Sequence, residues 1–297
     1  MAVSIREGDL EDLAPAVSLL REIDRTRVIT EAGFRHRLLA SPPGARRTWW
    51  AARDGARLVG WAGASVAYET TARGGHLGVV VLPSHRGRGI GSALLDRAVG
   101  HLEESARIHA ETFAEGRRFA EQHGFRHTHT RRVSAVDPRL VDTKELDSSQ
   151  ARIVSLHEVG PEQTFAVDAE SVLDEPGDEA LDALDYNQWV HDYWEHPDFD
   201  FDIGCGVVVD GKPVSVTYVL VDRESRRALN AYTGTLRAYR GRGLARLAKL
   251  GAMRRLAELG IELVLTENDE TNAPMLAINN RLGYRPVESR YSYVLDR

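Results

Sequence analysis

Residues 85–95 read HRGRGIGSALL, and residues 239–249 read YRGRGLARLAK. Each segment follows an apolar, strand-like stretch, LGVVVL from Leu77 or ALNAYTGTL from Ala228. Each also begins a run with apolar residues three and four positions apart, which is typical of a helix. The chain therefore predicts a strand, a glycine loop and a helix twice, about half its length apart, as an internal repeat does.

The sequence around the two loops continues the repeat. Upstream, Asp54-Gly55 and Asp210-Gly211 separate apolar runs, which is a strong hairpin signal. Downstream, ARIHAETF and IELVLTEN predict another strand, and an aromatic residue follows a glycine at Gly124 and at Gly283. Each half opens with an amphipathic helix and closes on a strand, RRVSAV or SRYSYVL. We predict an α/β fold of the mixed (α+β) kind, with helices on the faces of each sheet.

The polar stretch DPRLVDTKELDSSQ between the halves is typical of a linker. A chain of 297 residues is expected to form two hydrophobic cores. We therefore place a domain boundary near Ser149, with an N-terminal domain over 1–149 and a C-terminal domain over 150–297.

Composition excludes several classes of function. The formal net charge of −6 gives no broad cationic surface, so we expect no nucleic-acid partner. The single cysteine excludes an intrachain disulfide and fits a reducing compartment. No apolar run approaches the roughly 20 residues of a membrane helix, so we expect a cytoplasmic protein without a membrane partner. His123, His127 and His129 lack further ligands at metal spacing, and we predict no metal site.

Glycines at the start of a helix let the backbone approach a ligand, and the free amides and helix dipole there attract phosphate. Three nucleotide loops compete as explanations. Neither loop has the lysine and hydroxyl that a P-loop requires. A dinucleotide-binding loop belongs to a parallel βαβ unit, whereas antiparallel hairpins precede these loops. The third candidate is a loop that holds the pyrophosphate of coenzyme A.

The whole constellation resembles the GNAT superfamily of N-acetyltransferases, and more closely its tandem two-domain members. The family signature is Arg or Gln, two residues, Gly, one residue, then Gly or Ala, between a strand and a helix. The resemblance implies two acyl-CoA-binding domains and acetyl-CoA as co-substrate, without a metal. It assigns cofactor binding to two loops and to the strand residue before each: Val81, Arg86, Gly87, Arg88, Gly89, Ile90 and Gly91, and Thr235, Arg240, Gly241, Arg242, Gly243, Leu244 and Ala245.

The resemblance also distinguishes the two halves. In the family pattern an asparagine helps to hold the cofactor, and a tyrosine seven residues later is the general acid. Asn272 fits the first position, and Asn279 stands in the tyrosine's place within the predicted cofactor site. In the first half, Phe113 stands at the asparagine position of the family pattern and Ala120 at the tyrosine position. We therefore expect a degenerate first half, structural or regulatory, and catalysis in the second.

An acceptor amine of pKa about 10 must lose a proton before it attacks a thioester. Glu267, at the end of the strand LVLTEN, is the predicted base, although a solvated carboxylate at a strand end is the alternative. Tyr284 is a candidate acid, as is Tyr232, and the alternative for both is packing within the sheet. One aromatic stripe either lines an acceptor pocket or belongs to the core: Tyr186, Trp189, Tyr193 and Trp194.

These patterns predict an N-acetyltransferase that moves an acetyl group from acetyl-CoA to a primary amine of a small molecule or peptide, by direct attack. A non-catalytic acyl-CoA-binding sensor or scaffold is the alternative. Nothing in the loops recognises the acyl group, so other acyl donors stay open. Two linked copies are expected to form a monomer or a homodimer.

Overall fold

The computed structural model describes residues 3–72, 74–148, 151–177 and 181–297. The chain forms two compact units: unit 1 is Met1–His129 with Arg290–Arg297, and unit 2 is Thr130–Ser289. The predicted boundary near Ser149 lies outside the described residues and stays a prediction.

Both halves of the chain contain helices and strands. The first half contains β1 (Ser4–Glu7), α1 (Leu13–Ile23), α2 (Glu31–Leu39), β2 (Thr48–Asp54), β3 (Arg57–Val66), β4 (Gly74–Val81), α3 (Ile90–His101), β5 (Arg107–Thr112), α4 (Arg117–Gln122), β6 (Arg126–Val136) and α5 (Glu145–Ser148). The second half contains β7 (Arg152–Ser155), α6 (Leu156–Val159), α7 (Pro161–Ser171), α8 (Tyr186–Trp189), β8 (Cys205–Val209), β9 (Lys212–Asp222), β10 (Arg227–Thr235), α9 (Leu244–Glu258), β11 (Leu263–Asp269), α10 (Ala273–Arg281) and β12 (Arg285–Asp296).

Unit 1 is a mixed sheet. Strands β1 to β4 are antiparallel neighbours, and β4 pairs in parallel with β5. The end of β12 runs antiparallel to β5, with Tyr291 opposite Thr112. Helices α1 and α3 bury Leu13 and Leu94 in the core. The predicted hairpin at Asp54-Gly55 is confirmed between β2 and β3.

Unit 2 repeats this arrangement. Strands β7 to β10 are antiparallel neighbours, β10 pairs in parallel with β11, and the end of β6 runs antiparallel to β11. The predicted hairpin at Asp210-Gly211 is confirmed between β8 and β9. Helix α9 packs on this sheet and buries Leu250 and Leu256. The predicted α/β class with mixed sheets is therefore confirmed.

The closing strands pair differently from our expectation that each half ends on its own strand. Residues 131–136, RRVSAV, complete the sheet of unit 2 beside β11. The segment from Tyr291, within SRYSYVL, completes the sheet of unit 1 beside β5. A local pattern identifies a strand, but its partner is chosen by packing between segments far apart in sequence.

In the described part of the chain, none of the helices has both the length and the apolarity that crossing a membrane requires.

Candidate functional site

Both glycine loops have the same backbone conformation. Gly87 and Gly89 have φ angles of 75° and 77°, and Gly241 and Gly243 have 76° and 77°. Glycine adopts this left-handed backbone conformation at little cost in conformational free energy, whereas residues with a Cβ pay a larger steric cost. Helices α3 and α9 begin directly after the second glycine of each loop. Their first amides have no partner within the helix and are oriented to bind an anion.

The first arginine of each loop holds the end of the preceding strand. Nε of Arg86 donates a hydrogen bond to the Val81 carbonyl at 3.1 Å, and Nε of Arg240 donates to the Thr235 carbonyl at 3.0 Å. Arg240 also forms a 2.7 Å ion pair with Asp174. These arginines therefore brace the loop against the strand.

The third residue of each loop is also an arginine. The Arg242 guanidinium lies 5.1 Å from the centre of the Tyr239 ring, and Arg88 is exposed. Ile90, which follows the first loop, is buried in the core of unit 1.

In unit 2 the strand before the loop separates from its parallel neighbour. The pairs between β10 and β11 end at Asn230 and Thr266. Strand β10 nevertheless continues to Thr235, and β11 continues to Asp269. The register of β10 against β9 shifts just after Asn230, as a β-bulge does. The separated edges leave a gap in which an extended ligand can pair with strand backbone.

A cavity of about 470 Å³ opens at this gap. Its wall includes seven of the predicted cofactor residues: Thr235, Arg240, Gly241, Gly243, Leu244, Ala245 and Asn272. The Asn272 side chain accepts a hydrogen bond from the Met275 amide at 3.2 Å and so caps α10. Glu267 also lies on the wall, with its carboxylate 3.7 Å from the Arg131 guanidinium. The structure thus brings together the loop, the strand and the predicted base.

One residue on this wall was missed by the sequence interpretation. Lys249 lines the cavity although the residue is only 1% exposed, and its Nζ donates a 2.7 Å hydrogen bond to Oδ1 of Asn279. Burial lowers the pKa of the Lys249 ammonium to about 7. The internal repeat could have identified this residue, because the alignment of YRGRGLARLAK with HRGRGIGSALL places the charged Lys249 at the position of the apolar Leu95.

The predicted tyrosines occupy different places. Tyr284 is 1% exposed in the core of unit 2, and its ring centre lies 5.2 Å from Nζ of Lys249. Burial raises the pKa of the Tyr284 hydroxyl. Tyr232 lies on the cavity wall, with its hydroxyl 2.7 Å from the Ser171 hydroxyl. Trp189, from the aromatic stripe, is 1% exposed and bonds Asp168, so it belongs to the core.

Unit 1 has a corresponding cavity of about 490 Å³. Pairing between β4 and β5 ends at His76, although β4 continues to Val81. The wall includes five predicted residues: Val81, Arg86, Gly87, Gly89 and Gly91. Phe113 and Ala120, predicted to replace the family's polar residues, lie on the wall as well. This cavity therefore keeps the loop and the gap, with apolar side chains in the place of the polar ones.

An ion pair from the C-terminal segment also reaches the unit 1 cavity. Arg290 is 7% exposed and lies 3.3 Å from the carboxylate of Asp24, which is 4% exposed. Burial acts to raise the pKa of Asp24, but Arg290 and Arg27 hold it below its usual range. The Arg290 guanidinium also lies 4.8 Å from the centre of the Phe113 ring. Sequence reasoning had no local signal for this pair.

In the described ranges, no group of three or more His, Cys, Asp or Glu side chains is arranged to hold a metal ion.

Comparisons with known proteins agree with this geometry. Residues 16–125 match the sequence profile of the Acetyltransferase (GNAT) family. That segment contains the glycine loop of unit 1 and belongs to the family. No curated protein sequence matches the chain.

Solved structures extend the likeness to the whole chain. A tandem GNAT protein from the clavulanic acid biosynthesis pathway matches at a TM-score of 0.75 and 20% identity, over 99% of this chain and 98% of that one. A GCN5-related N-acetyltransferase from Sphaerobacter thermophilus matches at a TM-score of 0.72 and 14% identity, over 99% of this chain and 95% of that one. Saccharomyces cerevisiae N-myristoyltransferase with bound myristoyl-CoA matches at a TM-score of 0.65 and 11% identity, over 99% of this chain and 79% of that one. The chain has the GNAT acetyltransferase fold in tandem form.

Proposed function

We propose that unit 2 transfers an acetyl group from acetyl-CoA to a primary amine of a small molecule or peptide, by direct attack. The gap between β10 and β11 beside the Arg240–Gly243 turn carries this proposal. It combines an anion site at the start of α9 with unpaired strand backbone, which suits a ligand with a phosphate end and an extended amide arm.

The residues present fit such a ligand. The amides after Gly243 would hold the pyrophosphate, and the backbone of β10 near Thr233 and Thr235 would pair with the pantetheine. The added Cβ at Gly241 or Gly243 would meet nothing within 4 Å, so this part of the loop is open to a ligand. Acetyl-CoA, when bound, supplies an activated thioester.

Glu267 is our proposed proton acceptor. Its side chain is 17% exposed, and it lies on the same cavity wall as the glycine loop. A carboxylate in this position can take the proton that the amine must lose before attack. Arg131, its ion-pair partner at 3.7 Å, holds the carboxylate at the wall. We assign Tyr284 a packing role because its hydroxyl is buried within the core.

Unit 1 is proposed to bind acyl-CoA without chemistry, since Phe113 and Ala120 line its cavity. The sensor alternative is less well supported for unit 2, whose wall carries Glu267 and Lys249. Yeast N-myristoyltransferase was solved with myristoyl-CoA, so longer acyl donors belong to the proposal. A cytoplasmic location and a monomer or homodimer complete it.

An acceptor screen tests this function. Purified protein is mixed with acetyl-CoA and pools of primary amines, and both free CoA and the acetylated amine are measured. We expect amine-dependent acetylation that falls at least tenfold in Glu267→Gln. Glu262→Gln is the control, since Glu262 lies outside the cavity wall and pairs with Arg226. Acetylation that is equal in Glu267→Gln and wild type would reject Glu267 as the base.

A further inference from the structure

Lys249 is a buried cation on the wall of the unit 2 cavity. Lys249 as a whole residue is 1% exposed, whereas the side chains of Arg131 and Arg240 on the same wall are 36% and 41% exposed. Placing an ammonium in a buried position costs free energy unless hydrogen bonds or an opposite charge compensate. Its hydrogen-bond partner is the neutral amide of Asn279 rather than a carboxylate. The positive charge of the protonated lysine is therefore not neutralised by this hydrogen-bond partner.

The orientation of this amide is determined by a second asparagine. Nδ2 of Asn279 donates a 2.6 Å hydrogen bond to Oδ1 of Asn268, which also lines the cavity. Oδ1 of Asn279 is thereby directed at Lys249 and accepts its hydrogen bond. A protonated lysine has three N–H donors, and one of them is used in this way. The asparagines act as positioning residues for an ammonium that has further protons to give.

The equivalent positions of unit 1 are apolar. Leu95 occupies the repeat position of Lys249, and Ala120 that of Asn279. The backbone confirms the second equivalence, because the Phe125 amide bonds the Ala120 carbonyl as the Tyr284 amide bonds that of Asn279, both at 3.1 Å. Leu95 and Ala120 line the unit 1 cavity. The same helix positions thus pack without charge, so the lysine and asparagine are not required by the fold.

We infer that Lys249 donates the proton to the sulfur atom that departs during acyl transfer in unit 2. The inference rests on the proposed function. Attack by the acceptor nitrogen forms a C–N bond and breaks the C–S bond, whose electron pair stays on sulfur. Lys249 gives one proton to that sulfur, becomes a neutral amine and takes a proton back from water. Glu267 accepts the proton that the acceptor amine loses and returns it to water.

The surroundings of Lys249 suit this exchange. Burial lowers the pKa of its ammonium to about 7, so the proton is transferable near neutral pH. The Tyr284 ring faces Lys249 from the core. The other titratable side chains on the described wall are Arg131, Asp174, Glu175, Tyr232, Tyr239, Arg240, Glu267 and Arg281. Tyr232 is the rival donor, but its hydroxyl is 2.7 Å from that of Ser171.

The ionisation of bound CoA tests the inference without any acceptor. The thiolate absorbance of CoA, measured against desulfo-CoA across a pH series, gives the pKa of the bound thiol. All proteins carry Gly89→Val, which disables the unit 1 loop. The key variant is Lys249→Leu with Asn279→Ala, because it recreates the pair that packs in unit 1. Lys212→Met, at an exposed lysine, and Tyr232→Phe complete the set.

We expect the bound thiol to ionise below its ordinary pKa of about 8.5, because the CoA thiolate and the Lys249 ammonium stabilise each other and titrate as a coupled pair. The double variant should return it to about 8.5 or above, while Lys212→Met leaves it low. A melting curve and a CoA titration verify that each variant folds and binds. Equal thiol pKa values in the double variant and its parent would overturn the inference, as would a shift in Tyr232→Phe alone. Failure of the parent to bind CoA would instead reject the proposed function.

Discussion

Nζ of Lys249 lies 2.7 Å from Oδ1 of Asn279, and both side chains are buried in unit 2. Such a pair is costly for folding, because an unfolded chain leaves the ammonium in water. The pair nevertheless occupies helix positions that unit 1 fills with Leu95 and Ala120. The buried lysine therefore makes folding of unit 2 less favourable than an apolar pair would, as is common for residues at functional sites.

The stability of unit 2 should depend on the protonation of Lys249. Its folded pKa of about 7 is below the value of about 10.4 in an unfolded chain, so between these values the unfolded state binds more protons. The free energy of unfolding should therefore rise from about pH 7 to about pH 9 relative to that of Lys249→Met. Urea titrations at several pH values measure this difference. Parallel curves for the two proteins would contradict the account, and Lys212→Met is the exposed control.

Asn272 should have a capping role that is separable from ligand binding. Asn272→Ala removes the acceptor of the Met275 amide and should destabilise unit 2 by about 1 kcal/mol. Asn272→Asp keeps an acceptor at the cap, so its melting temperature should stay near that of wild type. Its added negative charge on the cavity wall should weaken acetyl-CoA binding. Thermal melts and calorimetry on the same samples separate the two effects, and equal stability of all three proteins would exclude the cap.

Arg240 should support acyl-CoA binding by bracing the loop. Arg240→Ala removes the bond to the Thr235 carbonyl, and we expect about tenfold weaker binding in unit 2, or ~1.4 kcal/mol. The matched variant is Arg86→Ala, which removes the equivalent bond to Val81 in unit 1. Titration of acetyl-CoA into each protein checks this. Unchanged affinity in Arg240→Ala would mean that the glycines alone hold the loop.

The C-terminal segment should be required for unit 1. Arg290→Met leaves the buried Asp24 with the Arg27 guanidinium and the hydrogen bonds from Thr26, and it should destabilise unit 1 by about 3 kcal/mol. Since Arg290 and Arg27 hold the pKa of Asp24 low, the loss should appear above about pH 4 and shrink as pH falls. Arg285→Met, an exposed position of β12, is the control. Hydrogen exchange should show faster opening of unit 1 in Arg290→Met only, and faster exchange in unit 2 instead would contradict this assignment.

The repeated loops could be predicted because their signals are local. A left-handed backbone at Gly241 and Gly243 favours glycine, and the apolar spacing of α9 follows from its contact with the sheet. The turns at Asp54 and Asp210 were predictable for the same reason. The resemblance to the GNAT superfamily rested on these local features and is supported by the match over residues 16–125.

The remaining features depend on contacts between distant segments. A lysine in a helix is normally a solvent-exposed residue, so only the alignment of the repeat distinguishes Lys249. Arg290 reaches Asp24 because the end of β12 pairs with β5, which no local pattern shows. Tyr284 looked like a cleft residue from its position after Gly283, but it packs in the core. Burial is a tertiary property, and a strand tyrosine has similar local sequence signals on either face.

The most direct measurement of the central claim is calorimetric titration of acetyl-CoA into wild type, Gly243→Val and Gly260→Val. Gly260 is a matched control, since its φ of 80° resembles the 77° of Gly243 and an added Cβ would meet nothing within 4 Å at either glycine. Gly89→Val shows how much of the acetyl-CoA binding depends on the glycine loop of unit 1. We expect Gly243→Val to lose the binding assigned to unit 2, while Gly260→Val and Gly89→Val retain it. Full binding by Gly243→Val, or no binding by wild type, would show that the glycine loop of unit 2 does not hold acetyl-CoA.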